Sequence, residues 1–211
     1  MATTTNVIKN PAVPSLPLAP VGYERAYQDQ LNNVLRLYFN QLNNLNAVLT
    51  SSTGGAFLQF PNGAWYDTTT QTRVAINTAQ AVTFNSTTVE NAVNKNAIDT
   101  SKIYTSVAGY YNFQFSAQLS KASGGSAYAW VWPRVNGVDI ADSNTKIAVQ
   151  GASAETVAAW NFVLPMNVGD YFQLMWATDD SIVILHEAAN AFSPAIPSVI
   201  LSATFVSALY T

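Results

Sequence analysis

Chemistry by side chains needs a nucleophile, a base or a metal donor, and this chain offers few. Among 211 residues there is one histidine, His186, and no cysteine. A general base at His186 needs an orienting partner and a nucleophile within reach. The run Ile182-Val183-Ile184-Leu185 before it reads as a strand, and the adjacent Glu187 then points to the opposite face. His186 is therefore read as a structural or rim histidine. No Gly-x-Ser-x-Gly elbow, Gly-x-Gly-x-x-Gly turn or Walker loop occurs. One histidine and no cysteine exclude the common imidazole and thiolate metal sites. Asp139, Asp142 and Asn144 cluster oxygen donors, but Asp-x-x-Asp-x-Asn lacks the spacing of a calcium loop. They are read as turn residues, as is Asp179-Asp180. Asn85-Ser86-Thr87 is a formal glycosylation sequon; no basic patch and apolar run precede it as a secretory signal, so it carries no weight. No catalytic residue, metal or cofactor is assigned, and the expectation is a protein that is not an enzyme.

The aromatic residues are the remaining candidates. Tyr128, Trp130 and Trp132 are spaced by two and share one strand face, opposite Ala129 and Val131. Such a stripe suits a sugar-stacking platform, an oligomer seam or a core, and core or seam is the reading taken.

These residues sit on elements that the pattern divides into parts. Residues 1–22 form an extended arm: Pro11, Pro14, Pro17 and Pro20 recur every third residue among Val13, Leu16 and Leu18. Each proline fixes φ and pushes its predecessor towards extended geometry, so no helix forms. Apolar residues between the prolines point to docking along a surface, with Pro14, Leu16, Pro17, Leu18 and Pro20 as the anchoring set. Residues 23–49 read as a helix. Leu31, Tyr38 and Leu45 recur every seven residues, and Leu35, Leu42 and Leu49 form a second series offset by four. That is the a/d pattern of a coiled coil. Val34, Phe39, Gln41 and Val48 flank it where Glu and Lys would normally stand, and Asn32, Asn33, Asn40, Asn43 and Asn44 lie outside. Asparagine is a poor helix former, so this helix gains its stability by packing, as a coiled coil or bundle. A single amphipathic helix folded on its own domain is the alternative.

Residues 50–56 are a linker by composition, and the rest, 57–211, reads as strands. Tyr110 to Leu119 alternates, with Tyr111, Phe113, Phe115 and Ala117 on one face. Further strands are expected at 57–60, 72–84, 127–135, 146–149, 156–164, 171–178, 181–187 and 198–209, and Asn136-Gly137 marks a type I′ hairpin. Short strands between Gly, Asn and Ser turns indicate a mostly-β sandwich or jelly roll.

Composition narrows the partners. Charged residues are 10% of the chain, against about 25% in ordinary soluble proteins. Nine basic residues against twelve acids exclude a nucleic-acid footprint. All nine lie at or before Lys146, and the last 65 residues carry five acids and no base. No apolar run of about 18 residues exists to span a membrane.

Three segments resemble the complement and tumour-necrosis-factor jelly-roll superfamily. Gly109-Tyr110-Tyr111-Asn112-Phe113 is similar to its Gly-x-Tyr-x-Phe strand. Val135-Asn136-Gly137-Val138 is similar to its central hairpin, and Leu164 to Leu174, containing Gly169-Asp170, to its Leu-x(4)-Gly-Asp segment. The strand 198–209 matches in position. The resemblance implies a ten-stranded jelly roll over residues 60–211 that assembles as a homotrimer, with Tyr111, Phe113, Phe115, Tyr128, Trp130 and Trp132 as trimer seam or core. Calcium ligands of some members are not placed here. Leu16-Pro17-Leu18-Ala19-Pro20 followed by Leu35 to Leu42 resembles the opening of tailed-bacteriophage structural proteins. Together these imply a virion structural protein, a short fibre or knob or a capsid decoration. Residues 1–49 would bind capsid, neck or tail, the helix residues Leu31, Leu35, Tyr38, Leu42, Leu45 and Leu49 would trimerise, and the head would meet a host glycan or receptor. The alternative is a soluble lectin-like jelly-roll protein outside any virion.

Overall fold

The computed structural model describes residues 14–16, 18, 21–50, 60–122 and 124–209. The arm residues 1–13, Pro17 and Pro20, the linker at 51–56 and the strand expected from 57 lie largely or wholly outside the described residues. The chain divides into two compact units, Met1–Gln59 and Phe60–Thr211.

In the first unit, α1 spans Arg25–Thr50. Leu31, Leu35, Tyr38, Leu42 and Leu45 are half-buried, whereas Asn32, Asn33, Asn40, Asn43, Asn44 and also Leu49 are exposed. Leu37, outside the stripe, and Phe39, at its edge, are both strongly exposed. Along the helix, Arg25 pairs with Asp29 at 3.8 Å, but both side chains are solvated and the pair contributes little.

Among the described residues the second unit has fourteen strands. They are β1 (Asn62–Asp67), β2 (Gln71–Thr72), β3 (Gln80–Ala81), β4 (Ser86–Asn91), β5 (Val93–Lys95), β6 (Ile103–Thr105) and β7 (Gly109–Lys121). Then come β8 (Ser126–Val135), β9 (Val138–Asp139), β10 (Thr145–Gln150), β11 (Ala154–Met166), β12 (Tyr171–Thr178), β13 (Val183–Ile184) and β14 (Val199–Ser207). Four of these (β2, β3, β9, β13) are two-residue pieces. Eight of the others carry the topology: β1, β6, β7, β8, β10, β11, β12 and β14. The first pairs with the last, the second with the seventh, the third with the sixth and the fourth with the fifth, all antiparallel. That nesting is one long hairpin. Rolled up, it also brings β7 beside β14 and β8 beside β12. The result is a jelly roll of two sheets. Sheet A holds β4, β1, β14, β7 and β11, with β13 also paired to β7 and β2 paired to β13; sheet B runs β10-β8-β12-β6-β5, with β3 and β9 attached.

The sheets face each other through their alternate residues. On β7, Tyr111, Phe113, Phe115, Ala117 and Leu119 are buried while their neighbours are not. Phe113 of sheet A stacks on Phe172 of sheet B, ring centroids 4.1 Å apart and nearly parallel. Trp65, Phe84, Ile103, Leu174, Trp176 and Leu201 complete the core. Gly109 opens β7 because a Cβ there would come within 2.2 Å of the Phe205 ring and 2.7 Å of the Ser207 carbonyl oxygen.

Two strand expectations are corrected. Of 72–84, only Thr72 and Gln80–Ala81 lie in strands. Asn77 turns the chain with φ 55°, and the Gln80 side chain takes over the backbone, accepting from Val74 N–H and donating to the Thr72 carbonyl at 3.0 Å. Val74 and Ile76 in this segment are exposed, Val74 at 81%. Of 181–187, only Val183–Ile184 is regular. Beyond it Leu185 N–H still reaches the Gln118 carbonyl at 2.7 Å, but His186 N–H turns to the Thr70 hydroxyl.

Candidate functional site

Two turns that the sequence presents separately form one structural unit. Asn136 and Gly137 both have positive φ, 50° and 79°, as a type I′ turn demands, and Val135 pairs with Val138 across it. Asn136 Nδ2 donates to Asp170 Oδ1 at 2.7 Å, and Asn136 Oδ1 accepts from Tyr171 N–H at 3.0 Å. The other oxygen of Asp170 accepts from Asn167 N–H at 2.7 Å and Asn167 Nδ2 at 3.1 Å. The Asn136 amide, followed by the Asn167 backbone N–H, holds the Asp170 carboxyl below its ordinary range. This is a tie between two hairpins, with both carboxylate oxygens engaged by the fold.

Asp139, Asp179 and Asp180 are also engaged in structure. Asp139 accepts from Trp132 Nε1 at 2.7 Å and from Arg134 Nε at 2.7 Å and Nη2 at 3.1 Å; the guanidinium keeps its carboxyl low. Asp179 Oδ1 accepts from Tyr128 N–H at 2.7 Å. Asp180 lies 2.8 Å from the ammonium of Lys121, which is fully buried, and that contact lowers the Asp180 carboxyl. Asp142 is an exposed turn residue with φ 56°. Among the described residues, no three His, Cys, Asp or Glu side chains converge to hold a metal ion. A shallow cleft on sheet A is lined by Gln118, Leu119, Ser120, Glu155, Leu185, Glu187 and Ile196. His186 does not line it.

The predicted aromatic residues separate into two groups. Tyr111, Phe113 and Phe115 point into the sandwich. Tyr128 and Trp130 point outward from sheet B, because Ala127, Ala129 and Val131 occupy the inward positions of β8. Trp132 shares their side; it is covered by its cross-strand neighbour Met175, and both lie outside the main core cluster. On this outward face Lys146 Nζ stands 3.7 Å from the Tyr128 ring centroid and 5.4 Å from that of Trp130. Of the arm set, Pro14 is half-buried, Leu16 and Leu18 are exposed, and Pro17 and Pro20 lie outside the described residues.

Sequence reasoning missed the outward face of sheet A. Val89, Val157, Val163, Ile200 and Val206 are exposed, and all belong to strands of this sheet. Between them lie Asn112, Gln114, Ser116, Ser202 and Thr204. By register, the outward positions of β4, β1, β14, β7 and β11 carry one charge, Glu155, at the far end beside Ser120. β11 is apolar on both faces, with Trp160 and Phe162 packed inward against Phe115 and Val157 and Val163 outward. Alternation alone gives no sign of which side is buried.

No family model matches the chain, and no curated protein matches it. Among solved structures, it is similar to the globular domain of zebrafish complement 1qA protein. The likeness has 14% sequence identity, covers 71% of this chain and 99% of that one, and has a TM-score of 0.47. The strand pairing described above carries the fold assignment.

Proposed function

We propose that the chain is a non-enzymatic virion structural protein, a short trimeric fibre or knob or a capsid decoration protein anchored through residues 1–49. The observation that carries the self-assembly is the outward face of sheet A, five strands wide, aliphatic and amide-rich, with a single charge at its margin. Exposed aliphatic side chains in that number mark an association surface. Five strands span about 24 Å and their paired length about 30 Å, on the order of the 800 Å² per partner that a stable interface buries. The apolar stripe of α1 offers a second association element in the other unit. Joining both in one chain raises the local concentration of the helices once the heads assemble. The virion assignment rests on the likeness of the arm and helix sequence to phage structural proteins. The rival, a lectin-like protein outside any virion, draws on the aromatic outward face of sheet B.

Light scattering on the full chain and on residues 60–211 tests assembly. A trimer of the full chain is expected, and a monomeric mass at micromolar concentration overturns it. Mass spectrometry of purified virus particles tests the location: the chain is expected there in multiples of three, and its absence from particles favours the lectin-like rival.

A further inference from the structure

The geometry points to the outward face of sheet B as a binding platform for saccharides that carry a carboxylate, with Tyr128 and Trp130 as stacking residues and Lys146 as the anion contact. It deepens the proposed function by giving the exposed head a ligand, and the trimer reading enters it only in keeping this face open.

Sheet B lies across the core from the proposed seam on sheet A, so its outer surface stays in solvent after assembly. Tyr128 and Trp130 stand on β8, which is paired on both sides, by β10 and β12. Their ring centroids are 6.3 Å apart and both rings are partly exposed. The residues opposite them are small where a ligand needs room: Ala148 faces Tyr128 on β10, and Ala177 faces Trp130 on β12. Each ring therefore stands beside a shallow trough floored by a methyl group. A pyranose presents an apolar C–H face that fits against such a ring and leaves its hydroxyls in water. Tyr and Trp on rigid strands lose little conformational freedom on binding.

Charge selects the ligand further. Arg134 is neutralised by Asp139 and Lys102 by Asp99. Lys146, opposite Trp130 on β10, is exposed and, among the described residues, forms no ion pair. Its ammonium rests over the two rings and keeps its solvent side open. A carboxylate of a sialic or uronic acid placed there gains a charge-assisted hydrogen bond while the sugar ring lies in the trough.

The test uses the full chain on an array of neutral, sialylated and uronate-containing saccharides, followed by titration of the strongest hits through tryptophan fluorescence. Binding to acidic members is expected, with Trp130→Ala weakening it about tenfold or more. Lys146→Gln is expected to reduce the preference for an acidic saccharide over its neutral parent by about fivefold. Because Lys146 is exposed, this second variant decides the matter if Trp130→Ala does not fold. No binding to any member, or binding unchanged in both variants, overturns the proposal. So does a lower assembly mass for Trp130→Ala, which would make this face a seam between copies. A wild-type chain that binds saccharide as a monomer sinks the trimer and leaves this site standing.

Discussion

At the scale of single residues, the chain uses its few charges as fasteners. Asp170 ties the turn at Asn136-Gly137 to the one at Asn167 to Gly169 with three short contacts. Both turns are legible in the sequence because Asn-Gly and Gly-Asp act locally through backbone conformation. The bond between them is not, because it joins residues 34 apart that only the rolled topology brings together. Its pH dependence has a definite sign. The folded protein holds Asp170 below its ordinary pKa, so the stabilisation is complete above about pH 4 and is lost as pH falls through the lowered value. Asp170→Asn should cost about 1–2 kcal/mol at pH 7. Urea unfolding at pH 7 and pH 2.5 should show the gap between variant and parent narrowing in acid. A gap that stays constant would show that the carboxylate charge contributes nothing.

At the scale of elements, alternation reported strands well where only one face was apolar. β7 reads correctly because Asn112, Gln114, Ser116 and Gln118 separate its core residues. The segment from Thr72 to Phe84 imitates that pattern, yet its amide side chain at Gln80 satisfies the loop backbone more locally than a neighbouring strand could. The helix was legible through its heptads, and its bounds, Arg25–Thr50, lie within two residues of those expected. What the stripe meets is a separate matter, and it can be measured. Leu35→Asn with Leu42→Asn places two amides on the proposed seam of the stalk. The full chain should then dissociate at concentrations at least about tenfold higher than the parent in sedimentation experiments. Circular dichroism of the β-rich unit should stay unchanged. An unaltered mass would mean that α1 is not an assembly element.

At the scale of the whole molecule, low charge proves to be unevenly distributed. The composition announces it, but its location depends on which side of β11 and β14 faces inward, and both sides of β11 are apolar. Register settles this: Trp160 and Phe162 enter the core, leaving Val157 and Val163 in solvent with Ile200 and Val206. Sheet B instead carries Arg134 paired with Asp139, and Lys146 over the rings of Tyr128 and Trp130, on its outer surface. The two outer surfaces therefore differ in the way the two proposed partners require, a second copy on one side and a polar ligand on the other. Val163→Glu with Ile200→Glu should abolish the proposed trimers at micromolar concentration, since each proposed interface would bury unpaired carboxylates. Because both side chains are already exposed, the melting temperature of the monomeric head should move by only a few degrees. Trimers that survive both carboxylates would place the seam elsewhere.

The nested pairing of the eight principal strands also sets an order in time. The fourth and fifth of them, β8 and β10, lie close in sequence with only β9 between them and meet early, whereas Asn62 of β1, already paired with Asn91 of β4, finds its second partner in Thr204 of β14. At ribosomal speed, roughly 5–20 residues per second, β1 waits on the order of 10 s before that partner is synthesised. Throughout this interval sheet A lacks β14, the strand that joins β1 to β7, and its hydrogen-bonding groups stand open to other nascent chains. Copies made side by side on one messenger would meet while their aliphatic strands are still unpaired. Assembly in the cell would then compete with strand exchange, and a slow-closing sheet gives crowded synthesis a direct influence on how much correctly folded protein results.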